Sequence, residues 1–539
     1  MDTLAPDLRT MVRTPLTEAH VAAMRRIGTE RAYAAGAAVT ALGAAQDRFQ
    51  YVLEGELEAV DPVTGGRYGG ASLGPGQFVG EISFLNDGKV MLASRACTDS
   101  VLLEVPRDAM LRLMADVPEM SDIIVTVFAA RRRRLLESQQ AALTLLGADR
   151  DRQIRQIAAF ASRNRIPYRS LDLDDHEAED IAQACALLPR HPAVIFGTDT
   201  VVEDPSPRKI ARLLGIDMAL GADHVFDVLI VGGGPAGIAA AVYAGAEGLS
   251  ALVVEDLTIG GQAGTSSRIE NYMGFPTGIS GADLCWRGEV QAMKFGTRFA
   301  VPRRAVHVAP LDAGGFCVTL DDGEEVRTRA IVIATGVQYR KLPIPRLEEF
   351  EGAGVYYAAT DVEARYCRNT DVVVIGGGNS AGQAAMFLSR SARHVHVLIR
   401  GDGLAASMSS YLSERLDRDP AITLHRRTQV TGLHGTDRLE EVTIRDGVMG
   451  QDWTLRTGAV FVMVGAAPNT GWLDGLVTLD DKGFVHTGPE VGGRSTYETS
   501  CPGIFAVGDV RAGSVKRVAS GVGEGSVVIS KVWEHVNAP

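Results

Sequence analysis

Two segments of the chain repeat one pattern: an apolar strand, a Gly-x-Gly-x-x-Gly/Ala turn, a helix and a second apolar strand. The first begins with "DVLIVGGGPAGIAAAVYAGA" and the second with "DVVVIGGGNSAGQAAMFLSR". The first glycine makes the turn, the second lets the backbone approach a pyrophosphate, and the third position packs the helix against the strand. Free N–H groups at the helix start then bind the phosphates. Two copies with their flanking strands predict two Rossmann-like dinucleotide-binding domains.

The residue that ends the second strand of each unit separates the two ligands. Glu255 ends this strand in the first unit, where a carboxylate can accept both ribose hydroxyls. Arg400 takes the same place in the second unit, and a guanidinium suits a 2′-phosphate. The first site is therefore expected to hold an unphosphorylated adenosine ribose, and the second NADP. This pairing indicates a flavin that takes hydride from a nicotinamide.

The bulk properties describe a multidomain globular protein. A length of 539 residues predicts three or four domains, and the net charge of −12 argues against a nucleic-acid-binding scaffold. The N-terminal residues lack the basic and then apolar pattern of a signal peptide. Six scattered cysteines form no CxxC and no disulfide framework, so we expect a cytoplasmic protein with no metal site.

From about residue 223 to 539 the chain resembles the low-molecular-weight thioredoxin reductase family. The resemblance rests on "GGGPAG", "GGQAG", "IENYMGFP", "IVIATG", "GGGNSA", "GAAPNT" and "CPGIFAVGDV", in that order. It implies an FAD domain built from two segments, about 223–341 and 466–539. An NAD(P) domain, 342–465, would be inserted between them. The resemblance also implies a homodimer.

The resemblance assigns cofactor contacts residue by residue. The FAD residues it implies are Gly232, Gly234, Gly237, Glu255, Gln262, Asn271 and Asp509, with Lys516, Arg517 and Val518 at the flavin edge as a partial match. The NADPH residues it implies are Gly376, Gly378, Asn379, Ser380, Ala381 and Arg400. The family has more arginines after the second unit than this chain. Ser407, Ser409 and Arg415 are alternative phosphate donors, and NADH is a possible reductant.

The reactive Cys-x-x-Cys of the family falls on "AATD", so Ala358 and Asp361 replace both sulfurs. In the family fold the second cysteine faces the flavin, which implies that Asp361 stands near the isoalloxazine ring. A carboxylate there cannot exchange with a disulfide. It could disfavour the anionic reduced flavin or shuttle a proton. The alternative is a decayed site with Asp361 facing solvent.

Residues 1–140 are expected to form a β-roll followed by a helix, from short alternating strands with glycine turns. "GPGQFVGEISFL" resembles the phosphate-binding cassette of cyclic-nucleotide-binding domains, which implies a pocket with Gly80 and Glu81. The phosphate-binding arginine of that family and the residue after it align with Val90 and Met91. We therefore expect a vestigial or repurposed pocket.

Residues 141–222 follow the order strand, helix, strand, helix, strand, strand, helix. This order resembles a thioredoxin or glutaredoxin domain. The loop that should carry its dithiol reads "ADRDR", so the domain is expected to lack that active site.

Three functions are consistent with these observations. The first is an FAD-dependent NAD(P)H oxidoreductase without an internal dithiol. Its acceptor could be a disulfide substrate, a flavodoxin- or ferredoxin-like protein, a quinone or oxygen. The second is a non-catalytic flavin or nucleotide sensor with regulatory N-terminal domains. The third is a true thioredoxin reductase that pairs Cys367 with another cysteine, which requires two sulfurs within bonding distance.

Overall fold

The computed structural model describes residues 15–62, 65–86, 88–137, 141–148, 150–188, 190–197, 200–217, 224–266, 269, 271–351, 353–357, 359, 364, 367–404 and 408–538. Within these ranges, no helix combines the length and the apolar character needed to cross a membrane.

The N-terminal part is a β-roll of two antiparallel four-stranded sheets, in the orders β1-β8-β3-β6 and β2-β7-β4-β5. The strands are β1 Thr29–Tyr33, β2 Ala38–Thr40, β3 Arg48–Glu54, β4 Leu57–Val60, β5 Arg67–Leu73, β6 Phe78–Val79, β7 Ser94–Ala96 and β8 Ser100–Pro106. The helices are α1 Glu18–Arg25, α2 Arg107–Asp116 and α3 Pro118–Glu137. Phe128 of α3 packs among the roll phenylalanines Phe49, Phe78 and Phe84, which fixes α3 against the sheets. The β-roll prediction is confirmed.

A second unit has a four-stranded sheet in the order β10-β9-β11-β12, with β9 and β10 parallel and the other pairs antiparallel. Its elements are β9 Leu143–Leu146, α4 Arg152–Arg163, β10 Arg169–Leu171, α5 His176–Ala184, β11 Ala193–Phe196, β12 Thr200–Val201 and α6 Pro207–Leu213. The central strand β9 is wholly buried, and α4 packs on it through Ile154, Ile157 and Phe160. The observed element order is the one predicted, and we refer to 141–217 as the thioredoxin-like unit.

The first Rossmann-like sheet has the order β15-β14-β13-β18-β17-β16, with β29 added beside β18. Its strands are β13 Val225–Val231, β14 Ala251–Val254, β15 Arg298–Ala300, β16 Ala305–Pro310, β17 Phe316–Leu320, β18 Glu325–Ile333 and β29 Ile504–Ala506. Its helices are α7 Pro235–Ala246, α8 Gly281–Lys294 and α12 Val518–Val536. β29 pairs in parallel with β18, so two distant chain segments share one sheet.

Both faces of this sheet are buried, which explains the apolar run 228–231 in β13. Val228 and Ile230 pack in a cluster with α7 and α12, whereas Leu229 and Val231 pack in the cluster on the opposite face. Parallel strands with both faces covered read as continuous apolar runs rather than alternating ones.

The second Rossmann-like sheet is parallel, in the order β20-β27-β21-β22-β23, and an antiparallel sheet β24-β25-β26 accompanies it. The strands are β20 Val355–Tyr356, β21 Asp371–Ile375, β22 His394–Leu398, β23 Ile422–His425, β24 Thr428–Gly435, β25 Leu439–Asp446, β26 Asp452–Arg456 and β27 Val460–Val462. The helices are α9 Leu347–Phe350, α10 Asn379–Leu388 and α11 Ser410–Arg418. An antiparallel pair, β19 Val337–Tyr339 with β28 Ala466–Pro468, joins the two chain passages between the Rossmann-like sheets.

Candidate functional site

The first glycine loop connects β13 to α7 with the geometry that a dinucleotide requires. Gly232 has φ +111°, and a Cβ there would collide with the carbonyl oxygen of Ala334. A Cβ on Gly237 would collide with the carbonyl oxygen of Gly232, so the third glycine brings α7 against β13. Among the described residues, no atom lies within 4 Å of a Cβ built on Gly234, which is the N-cap residue of α7. The open space lies where a phosphate would approach the backbone.

The start of α7 supplies donors to this space. Pro235 at the first helical position has no N–H, and Ile238 N already donates to Gly234 O at 2.9 Å. The amides of Ala236 and Gly237 therefore have no acceptor in the first helical turn. Together with the helix dipole, they form an anion-binding position.

Glu255 lies beside the same loop. Its carboxylate accepts hydrogen bonds from Gly233 N at 2.7 Å and from Leu257 N at 3.0 Å. Burial raises the pKa of the carboxyl, and the backbone donors oppose that rise. A carboxylate has about four acceptor positions. The backbone of Thr258 also stabilises the ionised carboxyl, so at least one position stays available for a ribose hydroxyl.

The C-terminal segment returns to the first loop. After β29 the turn Gly508–Val510 brings Gly508 against Ala236, and α12 packs on α7 so closely that a Cβ on Gly525 would collide with Ala236 O. Asp509 is half-buried in this turn, and burial raises the pKa of its carboxyl. The structure thus places Asp509 beside the first loop.

The residues predicted to meet the flavin lie on two loops and at the start of α12. Gln262 Nε2 donates to Val337 O, and Asn271 lines a surface depression of about 400 Å³ formed by residues 271–276. Met273 in this depression is 93% exposed. Just before α12, Lys516 Nζ lies 4.6 Å from the Phe484 ring centroid. Arg517 is the N-cap residue of α12, and Val518 begins that helix.

The second glycine loop repeats the first. Gly376 has φ +141°, and a Cβ there would collide with Met463 O. Gly378 is the N-cap residue of α10, and Ala381 is buried in its first turn. Asn379 and Ser380 are exposed at the helix start, and Asn379 Oδ1 accepts a bond from Ser409 N at 2.8 Å.

Arg400 is exposed just after β22, and the structure brings a second arginine to the same edge. Strands β22 and β23 pair in parallel with Leu398 opposite His425, so exposed Arg426, the first residue after β23, lies at the same edge of the sheet as Arg400. The sequence analysis missed Arg426, because only the register of β22 with β23 reveals it. Arg415 lies over the Tyr411 ring and donates to its hydroxyl at 2.8 Å. Ser407 lies outside the described residues.

The "AATD" positions Ala358 and Asp361 lie outside the described residues, so the expected place of Asp361 near the flavin stays a prediction. The six cysteines, all within the described part of the chain, are thiols rather than disulfides. Cys285 and Cys367 are buried, and burial raises the pKa of Cys285 to about 12. Burial also raises the pKa of Cys317 and of Cys501. Thiolates are therefore disfavoured at these positions.

The cassette in the β-roll is engaged by the chain itself. Arg132 of α3 donates to both oxygens of Glu81, at 2.7 and 2.9 Å, and Arg131 Nη1 donates to Gly80 O at 2.6 Å. The Arg132 guanidinium holds the pKa of Glu81 below its usual range against the opposing effect of burial. Val90 and Met91 are buried apolar side chains. The carboxylate that would meet a ribose is already paired.

Comparison with known families divides the chain in the same way. A model described as pyridine nucleotide-disulphide oxidoreductase matches residues 226–525, and one described as cyclic nucleotide-binding domain matches residues 30–117.

Characterised relatives match the C-terminal part. The chain is 37% identical to the thioredoxin reductase of Mycolicibacterium smegmatis over 302 residues, which is 56% of this chain and 93% of the relative. It is 36% identical to that of Streptomyces clavuligerus, with 56% of this chain and 91% of the relative covered. Among solved structures, the thioredoxin reductase of Lactococcus lactis superposes with a TM-score of 0.50 at 29% identity, covering 58% of this chain and 99% of that one.

Proposed function

The chain belongs to the pyridine nucleotide-disulphide oxidoreductase family, and we propose that it passes electrons from NADPH through FAD to an external acceptor without an internal dithiol. The proposed absence of the dithiol rests on one observation. The positions of the reactive pair hold Ala358 and Asp361, while the chain's six cysteines lie elsewhere and are thiols.

The residues of the first loop fit FAD. Gly234 leaves room for a pyrophosphate, the amides of Ala236 and Gly237 provide donors, and Glu255 has acceptor capacity for a ribose. When bound, FAD supplies the hydride acceptor and the electron donor of the reaction. The chain's own contribution is to hold the adenosine and pyrophosphate and to present the flavin beside residues 271–276.

The second loop fits a nicotinamide dinucleotide. Gly376 and Gly378 shape the turn, and the exposed guanidinium groups of Arg400 and Arg426 are suited to a 2′-phosphate. These arginines support NADPH as the preferred reductant, with NADH as the weaker alternative.

Burial makes Cys285 and Cys367 poor substitutes for the missing pair. Disulfide exchange requires a thiolate. Burial raises the pKa of Cys285 to about 12, and Cys367 is buried. A reductase that pairs Cys367 with another cysteine is therefore the weaker proposal.

The acceptor we propose is a small redox protein, or a disulfide substrate that docks directly at the flavin. A quinone and oxygen are the other chemical classes to be tested. By the family resemblance we also propose a homodimer, which light scattering of the purified protein tests. The non-catalytic sensor is the competing function, and turnover separates the two.

The test is anaerobic titration of the purified protein with NADPH, followed by the acceptor panel. We expect loss of the visible flavin absorbance with NADPH and its recovery with at least one acceptor at catalytic rates. A flavin that NADPH reduces once, with no acceptor turning it over, would contradict the enzyme and support the sensor.

A variant with all six cysteines replaced by serine tests whether electrons pass from the flavin to the acceptor without a thiol. Provided that it retains FAD, we expect NADPH-to-acceptor transfer close to that of the wild type. Asp361→Asn in the wild-type background is the companion variant, and it should change flavin reoxidation or its pH dependence. A cysteine-free protein that is reduced by NADPH but cannot reduce the acceptor would show that thiols carry the electrons.

A further inference from the structure

The thioredoxin-like unit contacts the first Rossmann-like domain beside Glu255. Asn164, just past the end of α4, donates from Nδ2 to Leu257 O at 3.1 Å. In the opposite direction, Thr258 Oγ1 donates to Arg163 O at 3.2 Å. Two hydrogen bonds thus link the end of α4 to residues 257–258.

Residues 257–258 also hold the carboxylate of Glu255. Leu257 N donates to Glu255 Oε1 at 3.0 Å, and the backbone of Thr258 also stabilises the ionised carboxyl. Asn164 and the carbonyl of Arg163 therefore hold residues 257–258, the peptide segment that orients Glu255. A shift of this segment would move the carboxylate away from the first glycine loop.

A second contact holds the end of α4 in place. Arg165 Nη2 donates to Asp283 Oδ1 at 2.5 Å, and its guanidinium lies 5.0 Å from the ring centroid of Trp286. Asp283 and Trp286 both belong to α8. Asp283 is buried, so the charge pair is protected from solvent screening.

We propose that the thioredoxin-like unit is a clamp on the adenosine side of the FAD site, in which Asn164 and Arg165 are positioning residues for Glu255. This inference rests on the assignment of the first loop to FAD. It gives a function to a unit in which Asp151, not a cysteine, caps the first helix by accepting from Ile154 N at 2.9 Å. The unit would raise FAD affinity rather than transfer electrons.

The experiment measures the affinity of the apoprotein for FAD. The apoprotein is titrated with FAD, and binding is followed by the change in flavin fluorescence and absorbance. Asn164→Ala and Thr258→Val remove the two bonds from opposite sides. Each should weaken FAD binding roughly three- to tenfold, the effect of one neutral hydrogen bond. Lys209→Ala is the matched control, since exposed Lys209 lies in the same unit and its Nζ donates to Glu203 O at 2.8 Å within that unit. It should leave FAD affinity unchanged.

A double-mutant cycle distinguishes positioning from general stability. If Asn164 acts through Glu255, Asn164→Ala should cost little in a Glu255→Gln background. Equal losses in both backgrounds, or an equal loss in Lys209→Ala, would overturn the clamp. Wild-type protein that binds no FAD would instead refute the proposed function, so the two failures are distinguishable.

Discussion

Gly234→Val should abolish FAD binding while leaving the fold intact. In the described part of the chain no atom lies within 4 Å of a Cβ at this position, and the φ of −74° and ψ of 179° are open to any residue. Replacing the N-cap glycine by valine costs about 1 kcal/mol of helix stability. The valine side chain would fill the space through which a pyrophosphate reaches the amides of Ala236 and Gly237.

The expected loss follows from those two donors. A hydrogen bond to a charged group contributes about 1.5–3 kcal/mol. Losing two of them weakens FAD binding by about 3–6 kcal/mol, or roughly 10²- to 10⁴-fold. The purified variant should therefore be colourless, with a melting temperature close to that of wild-type apoprotein.

The assay is flavin content per chain together with thermal melting, and two glycines provide comparisons. Gly74→Val in the β-roll, where a Cβ also has open space, should keep full flavin. Gly237→Ala should lose flavin and also melt earlier, because its Cβ would collide with Gly232 O. Full flavin in Gly234→Val would refute the assignment of the first loop.

Three further predictions concern charge. Arg400→Ala should weaken NADPH binding by about 1.5–3 kcal/mol and NADH binding little. Titration of both cofactors checks this, with Arg418→Ala, an exposed arginine paired with Glu414, as the control. Equal losses for the two cofactors would make Arg400 a solvated strand end. Cyclic AMP should not shift the melting temperature, because Arg132 already pairs with Glu81 and Val90 stands where the family has its phosphate-binding arginine. A saturable shift at micromolar ligand would reveal another phosphate donor. Burial raises the pKa of Glu289 to about 7, above its unfolded value, so stability should fall as pH rises from about 4.5 to 7, by on the order of 1–3 kcal/mol. Glu289→Gln should flatten the dependence of the melting temperature on pH. An unchanged dependence would contradict the assignment of this titration to Glu289.

Local sequence was sufficient for the elements and for both glycine loops. The element order of 141–217 followed from short apolar runs and turn residues, and the conformations of Gly232 and Gly376 followed from motifs that only glycine satisfies. These features depend on neighbours in the chain, so a single sequence contains them.

The contacts that give the site its surroundings depend on packing between distant segments. Arg132 meets Glu81 only because α3 folds back over the cassette. Arg426 shares a sheet edge with Arg400 only through the parallel pairing of two strands. Asn164 reaches Leu257 only when two units dock. No periodicity or spacing in the sequence encodes such distances.

The positions of these contacts also bear on where an acceptor would bind. The β-roll part meets the first Rossmann-like domain through Asp122 with Lys294 at 2.8 Å and through Asn86 with the amide of Phe299 at 3.2 Å. The thioredoxin-like unit docks on the segment after Glu255. These contacts involve α8, β15 and the adenosine side of the proposed FAD site.

The proposed flavin edge, by contrast, is exposed. Met273 in the depression of residues 271–276 is 93% exposed, so neither N-terminal unit covers it in the described part of the chain. An external acceptor can therefore approach this loop without displacing the β-roll or the thioredoxin-like unit. Under the proposed function the electrons leave to a separate molecule at this open surface, and turnover would not require the dithiol that Ala358 and Asp361 replace.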